Sequence, residues 1–370
     1  MGRRTLIYSG ALTLLMGLSI STYTGEETAT SSEGVVVVDI SRDSVSEVHY
    51  QSPDRDVLLS LLSDEAGEYL WAQVTVREEV EVESTEEDSD GNVEEVGEES
   101  TEEDNDGNVE EAGDNQAPTA TTTEVQTTVT SFKAGTTLLT LIDSIAPLNA
   151  KRSIETTDSL DAFGLESGFA TLTINTGENT EAVNLGGAAY RTQDRYISDA
   201  AGSIYIIDSS PLSPLTRSSR SLQDRSLIGV ELNEIVAIAI ASVNRDSLEV
   251  RQINPDHAEA AFWAREGENA ASPPIQDWIG KLLRMNAGNY VQDGEEPTTT
   301  SEEVSVRVLS LAGDTVTMSI ISGQNADGED AFYATSTHTR GTVMLEPSRA
   351  ENLIADFASV VMSPLGNENP

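Results

Sequence analysis

The sequence of 370 residues contains no cysteine and only three lysines. The absence of cysteine excludes disulfides, thiolate metal sites, cysteine nucleophiles and anchoring through a lipidated cysteine. Acidic residues outnumber lysine and arginine by 64 to 21, which gives a net charge of −43. Because so acidic a surface repels nucleic-acid phosphates, we exclude a nucleic-acid-binding function.

The sequence also lacks the motifs GxSxG, SxxK, HExxH, GxxxxGK[ST] and GxGxxG, which mark common hydrolases, zinc enzymes and nucleotide-binding proteins. Histidine occurs only at His49, His257 and His338, on three separate predicted segments. None of them has a carboxylate at ligand spacing on the same helix face, so we interpret them as exposed or structural residues.

Paired carboxylates are the remaining candidates for acid–base chemistry of the glycosidase kind. The acidic residues considered are Asp158, Asp161, Glu166, Asp194, Asp199 and Asp224. In a chain with 64 acidic residues, solvated surface carboxylates are the favoured interpretation. The elements Phe163-Gly164-Leu165 and Gly186-Gly187 indicate turns or close packing instead of phosphate loops. We therefore predict no catalytic residue, no cofactor and no enzymatic activity.

Residues 78–114 contain nineteen acidic residues and no basic one, including two sixteen-residue repeats at 84–99 and 100–115. Low hydrophobicity combined with dense like charge predicts a disordered insert over 78–130.

Both repeats of the insert carry alternating acidic residues before a glycine, as calcium-binding loops do. These weak calcium candidates are Asp88, Asp90, Asp104 and Asp106. The twelfth loop position is Gly97 or Gly113 instead of a bidentate glutamate, and flanking amphipathic helices are absent from the sequence pattern. We predict loose screening of divalent cations and no structural metal site.

The N-terminus places Arg3 and Arg4 before an uncharged stretch over residues 5–25. A bilayer-spanning helix needs about 20 residues, and flanking arginines stay on the cytoplasmic side. We predict that residues 1–25 form a transmembrane signal anchor in a bacterial cytoplasmic membrane, with the bulk of the chain on the periplasmic side. The alternative is a cleaved signal peptide, which also exports the chain.

Residues 137–154 and 274–291 align without a gap. In both segments, apolar residues recur every three or four positions up to a shared Asn-Ala pair, which predicts a helix followed by an extended piece. The predicted apolar positions are Leu138, Leu141, Ile142, Ile145, Leu148, Ala150 and Ile154 in the first segment, and Ile275, Trp278, Ile279, Leu282, Met285, Ala287 and Val291 in the second.

Short alternating segments on both sides of each helix predict antiparallel strands. We therefore predict an α+β fold of two tandem strands-helix-strands-helix copies, after an N-terminal transmembrane helix. The copies cover residues 35–230 and 231–363. Whether they share one sheet stays open.

Residues 148–165 read LNAKRSIETTDSLDAFGL and are followed by FATLTI, LGGAAYRTQDRYI and SIYIID. This order of segments resembles the bacterial family catalogued as domain of unknown function 4340, over roughly residues 71–227 without the acidic insert. Members of that family also begin with a membrane segment and often occur beside ABC-type transporter subunits of the gliding-motility kind. The resemblance carries no catalytic residues and implies an envelope location and an association with export machinery.

Together these features predict a membrane-anchored extracytoplasmic scaffold or auxiliary protein of an ABC-type transport or gliding-type envelope system. It would be anchored in the membrane through residues 5–25 and would bind protein partners without catalysing a reaction. The alternative is an extracytoplasmic module that binds a glycan or peptide. Exposed aromatics would favour that alternative, but Trp71, Trp263 and Trp278 all fall at predicted core positions.

Overall fold

The computed structural model describes residues 34–83, 121–155, 159–166, 169–243, 247–255, 257 and 259–362. Residues Val76–Thr128 form a small compact unit, and Met1–Thr75 together with Val129–Pro370 form the large one. The described residues fold mainly as antiparallel strands in three sheets.

The seven-stranded sheet has the order β14-β13-β12-β15-β16-β17-β18. Burial alternates along its strands, as on β15, where Val304, Val306 and Val308 are buried while Arg307 and Leu309 are exposed. Such alternation shows that one face packs on the core and the other faces water. The strands are β12 Ile235–Ser242, β13 Ser247–Ile253, β14 Phe262–Arg265, β15 Thr298–Ser310, β16 Thr315–Gln324, β17 Asp330–Ser336 and β18 Thr342–Met344.

The nine-stranded sheet has the order β5-β4-β3-β2-β8-β9-β10-β11-β7, so β5 lies at one edge. A separate two-stranded sheet pairs β1 with β6. The strands are β1 Val35–Val38, β2 Glu47–Gln51, β3 Arg55–Asp64, β4 Gly67–Glu83, β5 Thr121–Lys133, β6 Leu148–Ala150, β7 Arg152–Ile154, β8 Ala170–Asn175, β9 Thr180–Ala188, β10 Asp194–Ser198 and β11 Ile204–Asp208.

Among the described residues, four α-helices cover part of the core: α1 Thr136–Ile145, α2 Ser219–Leu222, α3 Pro273–Leu283 and α4 Pro347–Met362. Short 3-10 segments occupy Arg42–Ser44, Leu160–Phe163, Ser210–Thr216 and Leu232–Glu234. The apolar faces predicted for α1 and α3 are confirmed, since each helix buries four apolar side chains. The α3 helix also packs on α4, where the Trp278 indole donates a 2.9 Å hydrogen bond to the Leu353 carbonyl.

The predicted fold class was wrong, because the chain is mainly antiparallel sheet and not a tandem pair of strands-helix-strands-helix units. The helix predicted to close the first copy is instead a 3-10 segment, Ser210–Thr216, followed by the single turn of α2, since Pro214 lies inside the segment and lacks an amide hydrogen. The extended piece after α3 forms only the isolated bridges Ser226–Asn286 and Tyr290–Val343. The two larger sheets are separate.

Two further predictions concern segments that lie wholly or partly outside the described residues. No helix within the described residues is long and apolar enough to cross a membrane, and the predicted anchor at residues 1–25 lies outside them. The insert predicted as disordered over 78–130 begins and ends as strand, because β4 continues to Glu83 and β5 starts at Thr121. Strands persist there because valine alternates with glutamate at the end of β4 and because β5 begins with a run rich in threonine and valine, residues that favour extended backbone.

The Phe163-Gly164-Leu165 and Gly186-Gly187 elements pack against each other, which confirms their interpretation as a turn and a close approach. Gly164 adopts a left-handed conformation with φ of 67°. A Cβ on Gly186 would lie 2.5 Å from the Phe163 carbonyl oxygen. Only glycine lets the backbone approach this closely.

Replacing Gly186 with Ala should therefore lower the free energy of unfolding by about 1–3 kcal/mol, because the Phe163 backbone must move to admit the methyl group. Gly187→Ala is the matched control, since a Cβ on Gly187 would lie 3.5 Å from the same oxygen, at ordinary contact distance. Urea denaturation of both variants measures the difference. Equal stability of the two variants would contradict this packing.

Candidate functional site

A cavity of about 660 Å³ lies in the large unit. Its walls come from the end of β5, the first turn of α1, the segment after α2 and the turn between β17 and β18. Strand β5 ends at Lys133, and the backbone reaches α1 through Ala134 and Gly135. The cavity is therefore built from distant parts of the chain.

Three charged or titratable side chains meet at this cavity. Lys133 Nζ lies 2.9 Å from Asp224 Oδ2, and His338 Nε2 lies 2.8 Å from the same oxygen. The side chains are 12%, 22% and 20% exposed for Lys133, Asp224 and His338. We refer to Lys133, Asp224 and His338 as the ionic cluster.

Burial and hydrogen bonding act against each other within the ionic cluster. Burial favours the neutral form of Asp224, but hydrogen bonds from His338 and Lys133 outweigh it and hold the pKa of the carboxyl well below its usual range. Burial lowers the pKa of the Lys133 ammonium, and the shared Asp224 carboxylate offsets only part of that effect. The carboxylate is therefore fixed in its charged form at neutral pH.

Aromatic and cationic neighbours surround the ionic cluster. The Tyr290 hydroxyl donates a 3.2 Å hydrogen bond to the Asp224 carbonyl, and burial raises the pKa of this phenol. The Tyr290 ring meets Trp71 edge-on at 6.0 Å. Arg340, in the same turn as His338, forms a bidentate ion pair with Asp64 at 2.7 and 3.0 Å. These contacts join the β17–β18 turn to the nine-stranded sheet.

The ionic cluster consists of two side chains, Lys133 and His338, that both contact one carboxylate, Asp224. A carboxylate that orients an imidazole also occurs in nucleophilic triads, where the second ring nitrogen faces a hydroxyl or thiol. Among the described residues, the ring nitrogens of His338 lie within hydrogen-bonding distance of Asp224 and of Lys133, at 3.0–3.2 Å for the latter. The arrangement therefore supplies fixed charge and no described base–nucleophile pair.

The structure gives the other predicted site residues separate partners. His49 Nε2 lies 2.6 Å from Asp56, Asp194 pairs with Lys151 at 2.6 Å, and Asp199 accepts a 3.0 Å hydrogen bond from Tyr205. The described residues that stand apart from these pairs are Asp161, Glu166 and His257, whereas Asp158 and the calcium candidates Asp88, Asp90, Asp104 and Asp106 lie outside the described residues. Of the five acidic candidates within the described residues, Asp224 alone lines the cavity.

The sequence did not single out Lys133, and it predicted no carboxylate partner for any histidine, whereas His49 and His338 lie beside Asp56 and Asp224. The one available signal was rarity, since Lys133 is one of three lysines in the chain. Within the described residues, no group of three or more His, Asp or Glu side chains is placed to hold a metal ion.

A second candidate surface is the outer edge of β5. Residues 123–129 are all exposed, with Val125 at 62% and Val129 at 44%. No strand of the described chain pairs with this edge. It carries a single charge, Glu124, between residues 121 and 132, and no proline. We refer to it as the β5 edge.

Comparison with known proteins gives a family match for part of the chain. Residues 134–305 match the family model described as Domain of unknown function (DUF4340). No curated protein and no solved structure matches the chain. The match begins at the end of β5 and runs through α1 and α3 into β15, so it extends further toward the C-terminus than the resemblance over residues 71–227. The resemblance to this family is therefore confirmed over residues 134–305.

Proposed function

We propose that the protein is a non-catalytic scaffold or auxiliary protein of an ABC-type transport or gliding-type envelope system. It is held at the periplasmic face of a bacterial cytoplasmic membrane through residues 5–25 and acts by binding a protein partner. The Arg3-Arg4 flank and the uncharged segment after it support this location. The resemblance to a family that often occurs beside transporter subunits supports the association.

The β5 edge is the observation that carries the binding role. Natural sheets protect their edges with charges, proline, bulges or covering elements, because unpaired amide and carbonyl groups accept a further strand. Residues 123–129 of β5 have one charge and no proline, and their threonines and valines favour extended backbone. An edge of this kind suits recognition by strand addition from a partner protein.

The neighbouring strand indicates the chemistry of the partner. Strand β4, which lies beside β5 in the sheet, carries the exposed Glu78 and Glu79. Complementary charge raises association rates and suppresses wrong partners. We therefore expect the added strand to carry lysine or arginine.

Replacing both Val125 and Val129 with Lys should lower recovery of the transporter's membrane subunit from detergent-solubilised membranes by roughly tenfold, about 1.4 kcal/mol of binding. Lysine on an edge strand blocks further pairing and repels a basic partner strand. The readout is the amount of subunit that co-purifies with the protein.

The matched control adds two lysines at other exposed positions, Tyr190 and Val243, which are 77% and 55% exposed. This control should retain full recovery. Equal recovery with the β5 variant and the control would refute binding through the β5 edge.

A second candidate function is binding of a glycan or peptide fragment, and the cavity favours it. Its volume of about 660 Å³ falls within the range of small-molecule sites, roughly 300–1,000 Å³. The ionic cluster and the first turn of α1 supply fixed polar groups on its walls.

A further inference from the structure

The first turn of α1 presents unused backbone donors to the cavity. The Gly135 amide donates to the Leu222 carbonyl, and the Leu138 and Leu139 amides donate to the Gly135 carbonyl. The amides of Thr136 and Thr137 make no backbone hydrogen bond within the described chain, and both residues line the cavity. No described side chain caps this helix. Such free amides at a helix start attract anions.

A second, independent observation at the same cavity is the side chain of Gln223. Its side chain lines the same cavity and the residue is only 8% exposed. The buried Oε1 atom has no hydrogen-bond partner among the described residues. Because a buried oxygen left without a hydrogen bond costs about 1–3 kcal/mol, this acceptor is better explained by a ligand that donates an N–H or O–H group to it.

The charges on the cavity walls favour a single negative charge in the ligand. Arg42, Lys133 and Arg225 line the cavity together with Glu68 and Asp224, which leaves one net positive charge on the lining, although Arg42 also pairs with Asp143 outside it. Positive walls stand out in a chain whose net charge is −43. A carboxylate matches one positive charge, whereas a doubly charged phosphate exceeds it.

We propose that this cavity binds the carboxylate group of a small extracytoplasmic ligand. The inference rests on the second candidate function, the binding of a glycan or peptide fragment. The Thr136 and Thr137 amides and Lys133 donate hydrogen bonds to the carboxylate, and Gln223 Oε1 accepts one from a neighbouring N–H or O–H group of the ligand. A peptide C-terminus and a uronic acid both carry this group.

Two matched pairs of probes test the proposal by ligand-observed NMR titration of the full chain. The first pair is N-acetyl-alanyl-alanine and its C-terminal amide, and the second is glucuronate and glucose. We expect the acid of at least one pair to bind roughly tenfold more tightly than its neutral partner, as for a charge-assisted hydrogen bond worth about 1.4 kcal/mol. The pair that shows this preference identifies the source of the carboxylate.

Two substitutions at Thr136 distinguish the contribution of its backbone amide to binding from that of its side chain. Thr136→Pro removes one amide at the first helical position, where proline fits the helix without losing a helical hydrogen bond. The helix α3 already begins with Pro273 and Pro274. Thr136→Ala keeps the amide and removes the hydroxyl and methyl groups. We expect the proline variant to lose most of the preference for the acid and the alanine variant to retain it.

Gln223→Leu is a third variant and should weaken binding of the acid severalfold while keeping the fold, because it removes an unpaired buried amide. Equal binding of the acid and its neutral partner would overturn the carboxylate proposal and leave the binding function standing. Tighter binding of inorganic phosphate than of either acid would also overturn it. Failure of all four probes to bind would refute the second candidate function itself.

Discussion

Replacing Ile279 with Asp is expected to lower the free energy of unfolding by at least about 4 kcal/mol, enough to unfold many domains of this size. Ile279 is fully buried on α3, beside Trp278, Ile275 and Leu282. A carboxylate placed there loses its hydration among apolar side chains, so it must either become protonated or disrupt the packing of the core. Circular dichroism during urea or thermal denaturation measures the loss.

The control for this prediction lies on the same helix. Gln276 is exposed on α3, so Gln276→Asp adds the same charge at the surface and should change stability by less than about 0.5 kcal/mol. The equivalent pair on α1 is Ile142→Asp, at a position 6% exposed, with Thr140→Asp as its exposed control. Unchanged stability of both isoleucine variants would contradict the assigned core.

The second large effect is expected for Asp224→Asn, which should lower the free energy of unfolding by about 2–4 kcal/mol at neutral pH. The substitution leaves the Lys133 ammonium 12% exposed without its counter-charge. Removing one partner of a buried pair exposes the full desolvation penalty of the other. Asp194→Asn is the control, because its partner Lys151 is 53% exposed and surface pairs contribute at most about 1 kcal/mol.

The lowered pKa of Asp224 also predicts how the effect of this substitution on stability changes with pH. Asp224 has a folded pKa below its unfolded value, so the folded state binds its proton less readily. Its stabilisation is complete above the unfolded pKa of about 4 and is lost as the pH falls through the folded pKa. The difference in stability between wild type and Asp224→Asn should therefore narrow on acidification below about pH 4. A difference that stays constant from pH 7 to pH 2 would show that Asp224 does not act through its charge.

The parts of the fold that could be predicted are those with a local signal. The three- and four-residue spacing of apolar side chains identified both faces later found buried on α1 and α3, because a helix buries one stripe. The turn of Gly164 and the close approach at Gly186 could also be predicted, since glycine at such positions has few other uses.

Features that depend on distant pairing could not be read from the sequence. The prediction of two tandem copies was wrong because a local pattern does not specify which strands join one sheet. In addition, the segment around Pro214 forms a 3-10 helix where an α-helix was predicted. In the ionic cluster, Lys133 and Asp224 are 91 residues apart, and Asp224 and His338 are 114 apart. No spacing rule connects residues brought together only by the tertiary fold.

The most direct test of the proposed function is hydrogen–deuterium exchange on the protein, alone and bound to the co-purified membrane subunit. Strand addition gives the outward amides of β5 new hydrogen-bond partners, so peptides covering Thr121–Lys133 should exchange more slowly in the complex. Peptides from the edge strand β14, Phe262–Arg265, serve as the internal reference and should be unaffected. Equal exchange of the β5 peptides in the free and bound protein would contradict binding through the β5 edge.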